Sequence, residues 1–300
     1  MMRAGCLILV AGILPGIPAA AWAQSASLPV PPQTEAAKAV LLRQVIDNEK
    51  SSDEAMNFYE RMERVETKKH AADPAPSQIR VFRVVPAGTG VDHIPVGLDG
   101  KPVNSDVYHA ELVKLEKALS WASDDGHAQR DAYERVAKKQ KEREEVIDAA
   151  RTAFVYTFVS TERDGGRVIF KYSLAPNPAY KATSRSTAIL AKVHGFVWID
   201  PQAAQIARVE GEVTDDISIG LFLAKVYKGS RFEQERKEVL PGLWMPISSE
   251  YDFDGRKFFS TIAVHERTYY SQFHRVGSPK EALTLIRAEL DKSAAGVSDP

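Results

Sequence analysis

The chain has 300 residues, with 39 basic and 40 acidic side chains that give a formal net charge of −1. This balance argues against a broad basic face for binding nucleic acid. The length is sufficient for a core that buries well over half of the unfolded surface, so a stable fold does not require disulfides.

The first 23 residues have the pattern of a secretory signal peptide. Arg3 supplies a positive start, an apolar run extends from Cys6 to Ile17, and Ala21-Trp22-Ala23 is a small-x-small cleavage site. We predict that residues 1–23 are removed on export. The mature protein is then expected to be soluble in an extracytoplasmic space, because no second apolar run approaches the roughly 20 residues that cross a membrane.

The single cysteine, Cys6, lies inside this apolar run. Its removal with the signal peptide leaves no thiol, which excludes disulfides, Cys-ligated zinc and a thiol nucleophile from the mature chain. Acylation at Cys6 would leave no apolar run before it, so a lipid anchor is the less favoured alternative.

Composition divides the mature chain into three parts. Residues 24–33 are rich in Ser, Ala and Pro and are expected to be flexible. Residues 34–292 are predicted to form one domain, because no internal repeat or long low-complexity linker divides them. Residues 293–300 are predicted to be a disordered tail.

Helical periodicity marks three regions of this domain. Thr34 is the predicted N-cap of the first helix. The middle region, residues 105–151, is charged from Arg130 to Asp148. We interpret this charged stretch as a solvated helix, and the alternative is a projecting segment that docks a partner. The predicted helices are Thr34 to about Asn48, a helical insertion at 105–151 with a break at Asp124-Asp125-Gly126, and Pro279 to Lys292.

Period-two alternation predicts a long antiparallel meander over most of the remaining chain. Hairpin turns are expected at Asp99-Gly100, Asp164-Gly165-Gly166 and Asp254-Gly255. The predicted strands are 56–68, 77–86, 92–96, a hairpin from Phe154 to Leu174, 193–200, 205–214, 218–229, 231–240, 243–253 and 256–270.

Several of these strands are apolar on both sides, which indicates that both faces are covered. Phe196 and Trp198 alternate with Val197 and Ile199, whereas Arg231 to Glu238 is largely charged and is expected to be solvated. The predicted fold class is α+β. We expect a strongly curved antiparallel β-sheet, an open half-barrel, with helices or an apolar cavity against its concave face and the charged helical insertion added to it.

Eight aromatic residues of the predicted sheet are candidates for lining an apolar cavity. A cavity of this kind would shield acyl chains from water. The alternative for each residue is an ordinary place in the sheet core, where aromatic residues at period two are common. The candidates are Phe154, Tyr156, Phe158, Phe170, Tyr172, Trp198, Phe222 and Trp244.

Sequence motifs for catalysis are absent. The seven histidines contain neither His-Glu-x-x-His nor a His-x-His pair, and no Gly-x-Ser-x-Gly elbow occurs. Gly88-Thr-Gly90 lacks the third glycine and the following helix of a dinucleotide-binding loop. We therefore predict that the protein is not an enzyme and has no catalytic residue, cofactor or metal ligand; a metal site assembled across the fold is the less favoured alternative.

Four stretches of the predicted sheet define a pattern of strand order and turn spacing. They are Gly195-Phe-Val-Trp-Ile-Asp200, Ile206-Ala-Arg-Val-Glu210, Leu240-Pro-Gly-Leu-Trp-Met-Pro246 and Glu266-Arg-Thr-Tyr-Tyr-Ser-Gln-Phe273. This pattern resembles the outer-membrane lipoprotein-sorting family of periplasmic carriers over Tyr156 to Phe273. The resemblance implies an open β-barrel with helices on its concave side, a hydrophobic groove for acyl chains and a periplasmic location. The charged insertion at 105–151 departs from the family pattern.

Two functional hypotheses follow. In the first, the protein carries or senses a lipid or an acylated protein in the cell envelope, as the resemblance implies. In the second, it is a structural or protein-interaction module without a small-molecule ligand, whose sheet is filled by its own helices. An apolar groove of several hundred cubic ångströms favours the first hypothesis, and a packed concave face favours the second.

Overall fold

The computed structural model describes residues 29–219, 224–257 and 260–294. The predicted signal peptide and the candidate Phe222 lie outside these residues. The helices are α1 (Glu35–Ala55), α2 (Ser105–Ala122), α3 (His127–Ala153), α4 (Arg185–Ala188) and α5 (Pro279–Ala294). The strands are β1 (Tyr59–Lys68), β2 (Gln78–Pro86), β3 (Val91–Leu98), β4 (Lys101–Pro102), β5 (Phe154–Asp164), β6 (Arg167–Pro176), β7 (Val193–Asp200), β8 (Gln205–Val213), β9 (Ile217–Ile219), β10 (Ala224–Val226), β11 (Arg231–Leu240), β12 (Leu243–Lys257) and β13 (Ser260–Arg275).

The strands form one antiparallel sheet. Its spatial order is β4, β3, β2, β1, β13, β12, β11, β8, β7, β6 and β5, and the β9–β10 hairpin is attached to β12. Within the described chain, β4 and β5 are the two ends of this path, so the sheet does not close on itself. The predicted α+β class with an open antiparallel sheet is confirmed.

The pairing register assigns the strand residues to two faces, because side chains alternate across a strand. One cross-strand row, on what we call the inner face, consists of Val65, Thr268, Ser249, Gln234, Val209, Val197 and Tyr172. The adjacent row, on the outer face, consists of Arg64, Tyr269, Ser248, Glu235, Arg208, Trp198 and Lys171.

Helix α1 covers part of the inner face. Thr34 is its N-cap, as predicted, and the Thr34 side chain accepts a hydrogen bond from the Ala37 N–H (3.1 Å). Leu42 and Val45 then bury their side chains in one core with Phe170 and other residues of β6 and β7. Helix α3 runs antiparallel to α1, because Lys50 pairs with Asp148 (2.9 Å) while Asp53, further along α1, pairs with the earlier Arg143 (3.1 Å).

Helices α2 and α5 lie on the outer face at the other end of the sheet. Leu115 of α2 and Ile286 of α5 form a second core with Val85 and Ile94, and pairing of Arg83 with Met62 places this part of β2 on the outer face. Beside this core Arg83 donates hydrogen bonds to Glu60, Tyr108 and Glu289 (2.7–2.9 Å), so one guanidinium joins β1, α2 and α5.

Two predictions for the end of the meander are wrong. The expected turn at Asp254-Gly255 lies inside β12, which continues to Lys257 and pairs there with Ser260. A methyl group on Gly255 would lie 2.1 Å from the Lys225 carbonyl oxygen, so the glycine permits close approach of β10 rather than a turn. The expected strand at 218–229 is replaced by the short strands β9 and β10.

The prediction that 231–238 is solvated fails at Arg236. This side chain is 4% exposed, lies on the inner face and is 2.5 Å from Glu49 of α1. It also donates a hydrogen bond to the Trp244 carbonyl. Burial raises the pKa of Glu49, and the neighbouring Arg236 opposes that shift. The pair therefore fixes the C-terminal half of α1 to the sheet through two largely buried charges.

Removing one partner of this pair should lower the free energy of unfolding more than removing both partners. We expect Arg236→Met or Glu49→Leu alone to lower the free energy of unfolding by about 3–5 kcal/mol, because each leaves a buried charge without its partner. The double variant should recover at least half of that loss, as measured by urea unfolding followed by circular dichroism.

A matched cycle at the more exposed pair Arg231 and Glu212 serves as the control. Arg231→Met and Glu212→Leu should each cost less than about 1 kcal/mol. A double variant at Arg236 and Glu49 that loses the full sum of its two single variants would contradict this account.

Candidate ligand-binding surface

Four of the predicted cavity residues lie together, but they are packed against helices. Phe154, Phe170 and Tyr172 belong to the core beneath α1 and α3, and Tyr156 packs against it. Phe170 and Tyr172 are each 1% exposed. The space that these residues were predicted to line is therefore occupied by side chains of the chain's own helices.

Phe158 lies at the margin of this core. Its ring makes edge contacts with Phe170 (6.2 Å between centroids) and Tyr172 (5.8 Å), and the residue is 42% exposed. It belongs to β5, the last strand of the sheet. Phe158 is thus an edge residue rather than part of an enclosed cavity.

Trp198 faces the other side of the sheet. Its indole N–H donates to Glu162 (2.9 Å), while the Lys171 ammonium and the Arg208 guanidinium lie 4.5 and 4.9 Å from its ring. The ring is buried by the stems of these charged side chains, a common way to cover an apolar outer residue. Trp198 is therefore separated by the sheet from Phe170 and Tyr172.

Trp244 is also buried, and Arg167 lies 5.2 Å from its ring.

An exposed apolar surface occurs instead at the far end of β12 and β13. We call residues 251–257 and 260–266 the distal hairpin, and the inner-face side chains of Tyr251, Phe253, Ile262 and Val264 the hairpin strip. The register pairs Phe253 with Val264, and the Tyr251 and Phe253 rings are 5.5 Å apart. Tyr251, Ile262 and Val264 are 36%, 37% and 39% exposed.

The outer face of the same hairpin is polar. The Asp252 carboxylate lies 2.5 Å from the His265 ring, and Asp254 lies beyond it. A hairpin with one apolar and one polar face normally buries the apolar one. Here the apolar face retains more than a third of its exposure at three positions, which is the property expected of a surface that contacts another molecule.

Sequence reasoning missed the hairpin strip because it placed a turn at Asp254-Gly255. That turn divided one continuous alternation into two shorter strands. The signal was present in the order Tyr251, Asp252, Phe253, Asp254, in which apolar and acidic residues alternate.

The outer face contains a groove of about 450 Å³ across β7, β8, β11 and β12. Glu210, Glu233 and Glu250 face each other on adjacent strands along its floor. Like charges directly opposite are destabilising in a sheet. Burial raises the pKa of Glu233, and the neighbouring Arg208 opposes this shift, whereas Glu210 and Glu250 add to it.

Metal chemistry finds no support in this groove. Among the described residues, no group of three or more His, Cys, Asp or Glu side chains is placed to hold a metal ion. None of the described helices combines the length and the apolar character of a membrane span.

Comparison with known proteins gives one distant likeness in structure. No protein-family model matches the sequence, and no curated protein matches it. A solved domain from Vibrio parahaemolyticus, provisionally described as an outer membrane lipoprotein-sorting protein domain, is similar at 11% sequence identity and a TM-score of 0.31. The alignment covers 82% of this chain and 99% of that domain. A likeness at this level does not bear on the ligand or on the site.

Two core tyrosines should respond differently to loss of their hydroxyl groups. The Tyr156 hydroxyl donates to the Ala150 carbonyl (2.9 Å), whereas the buried Tyr172 hydroxyl has no hydrogen-bond partner in the described chain. We expect Tyr156→Phe to lower the free energy of unfolding by about 1 kcal/mol and Tyr172→Phe to leave it unchanged or raise it. Chemical denaturation of both variants tests this, and an equal loss in both would contradict the packed-core assignment.

Ionised Glu233 should destabilise the fold. A carboxyl group whose folded pKa is raised above the reference value of 4.5 costs stability when the pH exceeds the folded pKa, and this cost vanishes below the unfolded pKa. We expect Glu233→Gln to raise the thermal midpoint at pH 7 and the gain to shrink toward pH 4.

The control is Glu212→Gln, which removes a carboxylate of the same groove that is paired with Arg231 (3.0 Å). It should give no gain at either pH. A lower midpoint for Glu233→Gln at pH 7 would show that its contact with Arg208 outweighs burial and repulsion.

Proposed function

We propose that the protein is a non-enzymatic binding protein of the cell envelope that carries or senses a lipid or an acylated protein. The observation that supports this proposal is the exposed hairpin strip. Its side chains lie on the same face as the hydrophobic core, beyond the part of that face that α1 covers. An apolar ligand can therefore contact the strip without displacing any described element.

The strip suits an acyl chain because both are apolar and extended. Strand residues on one face repeat every 6.6 to 6.8 Å or so, and they present a continuous row of side chains to a linear ligand. Each methylene removed from water contributes about 0.8 kcal/mol. Tyr251 and Phe253 add broad aromatic surfaces with edge-to-face geometry, and Ile262 and Val264 supply branched aliphatic contacts.

An extracytoplasmic location is part of the proposal and rests on the sequence. The positive start, the apolar run and Ala21-Trp22-Ala23 are typical of an export signal. We place the mature protein in the periplasm, where a lipid or lipid-modified protein has to be shielded from water between membranes. No catalytic residue or cofactor is assigned to it.

A second candidate function is favoured by a different observation. Phe170 and Tyr172, which were predicted to line a cavity, are packed against helices, as the interaction-module hypothesis requires. In this function, the protein binds another envelope protein and takes no lipid. The hairpin strip would then contact a protein surface.

Native mass spectrometry distinguishes these two functions. The mature chain, from Gln24 onward, is purified from the periplasm and measured before and after extraction with organic solvent. We expect a bound lipid or acylated peptide that is lost on extraction. A clean apo mass after gentle handling would reject the carrier function in favour of the interaction module.

Adjacent residues on β13 provide a matched pair of variants for the strip. Val264→Asp places a charge on the inner face, and Ala263→Asp places the same charge on the outer face at a position that is also exposed. We expect lipid occupancy to fall at least fivefold in Val264→Asp and to remain near wild type in Ala263→Asp. Unchanged occupancy in Val264→Asp, with a native circular dichroism spectrum, would overturn the assignment of the ligand to the strip.

A further inference from the structure

Strand β5 ends the sheet with a long free edge. It has 11 residues and pairs with β6 on one side, while no described strand lies on its other side. Val155, Phe158 and Val159 are 45%, 42% and 49% exposed. A long edge with exposed apolar side chains is a template for pairing with another strand, and proteins usually shorten, cover or charge such edges.

The backbone groups on the free edge are identified by their hydrogen bonds. The Tyr156 carbonyl accepts from the Lys38 side chain (3.0 Å), so it points away from β6. The Thr157 carbonyl accepts from Ser173 of β6 (3.4 Å), so it points toward β6. Because these directions alternate along a strand, Phe158 presents its N–H and carbonyl to the free edge together with Tyr156.

The sequence of this edge is symmetric about Thr157. It reads Val155-Tyr156-Thr157-Phe158-Val159, with an aromatic residue on each side of the threonine and a valine beyond each aromatic residue. We propose that β5 pairs antiparallel with β5 of a second copy of this chain, about a twofold axis through Thr157. The two sheets then join into one continuous sheet.

This register satisfies both the backbone and the side chains, because the Tyr156 carbonyl has a second lone pair for the Phe158 N–H of the other copy beside the Lys38 ammonium. Tyr156 and Phe158 of the two copies form a hydrogen-bonded pair, and these are the two residues whose backbone groups face the edge. Across the twofold axis, Val155 lies opposite Val159, Tyr156 opposite Phe158, and Thr157 opposite Thr157. Aromatic–aromatic, Val–Val and Thr–Thr pairs are favourable cross-strand contacts.

The geometry also limits assembly to two copies. A twofold interface uses the same edge of both chains, so pairing leaves no free β5 edge for a third. The opposite end of the sheet offers the two-residue strand β4. A bulge at Val159 and the charged run Glu162 to Asp164 end the symmetric stretch after five residues. An interface of this size is small, and we expect a dissociation constant in the micromolar range.

A single introduced thiol tests the register. Cys6 is the chain's only cysteine, so Thr157→Cys in a Cys6→Ser background carries one thiol. In the proposed dimer, the Cα atoms at position 157 lie about 4.5 Å apart, which a disulfide can bridge. We expect oxidation to give a covalent dimer on a non-reducing gel.

Val155→Cys in the same background is the matched control. Its two copies would be separated by about four residues along the strands, roughly 13 Å, which is beyond the reach of a disulfide. It should give less than one tenth of the covalent dimer seen with Thr157→Cys. Equal cross-linking at both positions would reject this register.

Sedimentation velocity of the wild-type chain over a concentration series tests the association itself. We expect a monomer–dimer equilibrium that Val155→Glu/Val159→Glu abolishes, because acidic residues then face each other. Val155→Lys/Val159→Glu should restore it, because opposite charges face each other across the axis. A wild-type chain that is monomeric at all concentrations, or a dimer that both double variants leave intact, would overturn the proposal. This proposal does not depend on the lipid-binding function.

Discussion

Cross-strand register is the constraint on which the rest of the structure depends. Seven pairings from β1 to β5 keep one row of side chains on the inner face, from Val65 to Phe158, and the next row on the outer face. A slip of one residue at any of these pairings would exchange the faces of every strand beyond it. The core residues Phe170 and Val197, the buried Trp198 on the opposite face and the hairpin strip all take their positions from this one pattern.

The same register explains why polar groups are buried in places where the sequence suggested solvent. Arg236 shares the inner face with Val209 and Val197, so α1 has to supply Glu49 above it. On the outer face, Glu210, Glu233 and Glu250 are brought opposite each other, and Arg208 reaches both Glu210 and Glu233. Apart from the local Arg208–Glu210 pair, the partners of these contacts are more than 15 residues apart in sequence, so the local charge pattern does not reveal them.

The sequence predicted those features that depend on local chemistry. The Thr34 cap, the Asp164-Gly165-Gly166 hairpin and the helix that begins at Pro279 each follow from a few neighbouring residues, and the structure confirms them. Gly255 was misjudged because a glycine that admits a neighbouring strand has the same local sequence as a glycine in a turn. The role of the aromatic residues depended on which helix covers which face, and this is a property of tertiary packing.

The position of α1 decides where an acyl chain would bind. To reach Phe170 and Tyr172, a ligand has to replace Leu41, Leu42 and Val45, whose burial is worth roughly 5–9 kcal/mol in total. About ten methylenes of an acyl chain contribute a similar amount, roughly 8 kcal/mol. Replacing the α1 side chains by an acyl chain therefore leaves the free energy of burial almost unchanged. The entropy lost when the ligand is ordered still opposes binding. The hairpin strip is already exposed, so contact with it requires no such exchange. The full free energy of burying the acyl chain then favours binding.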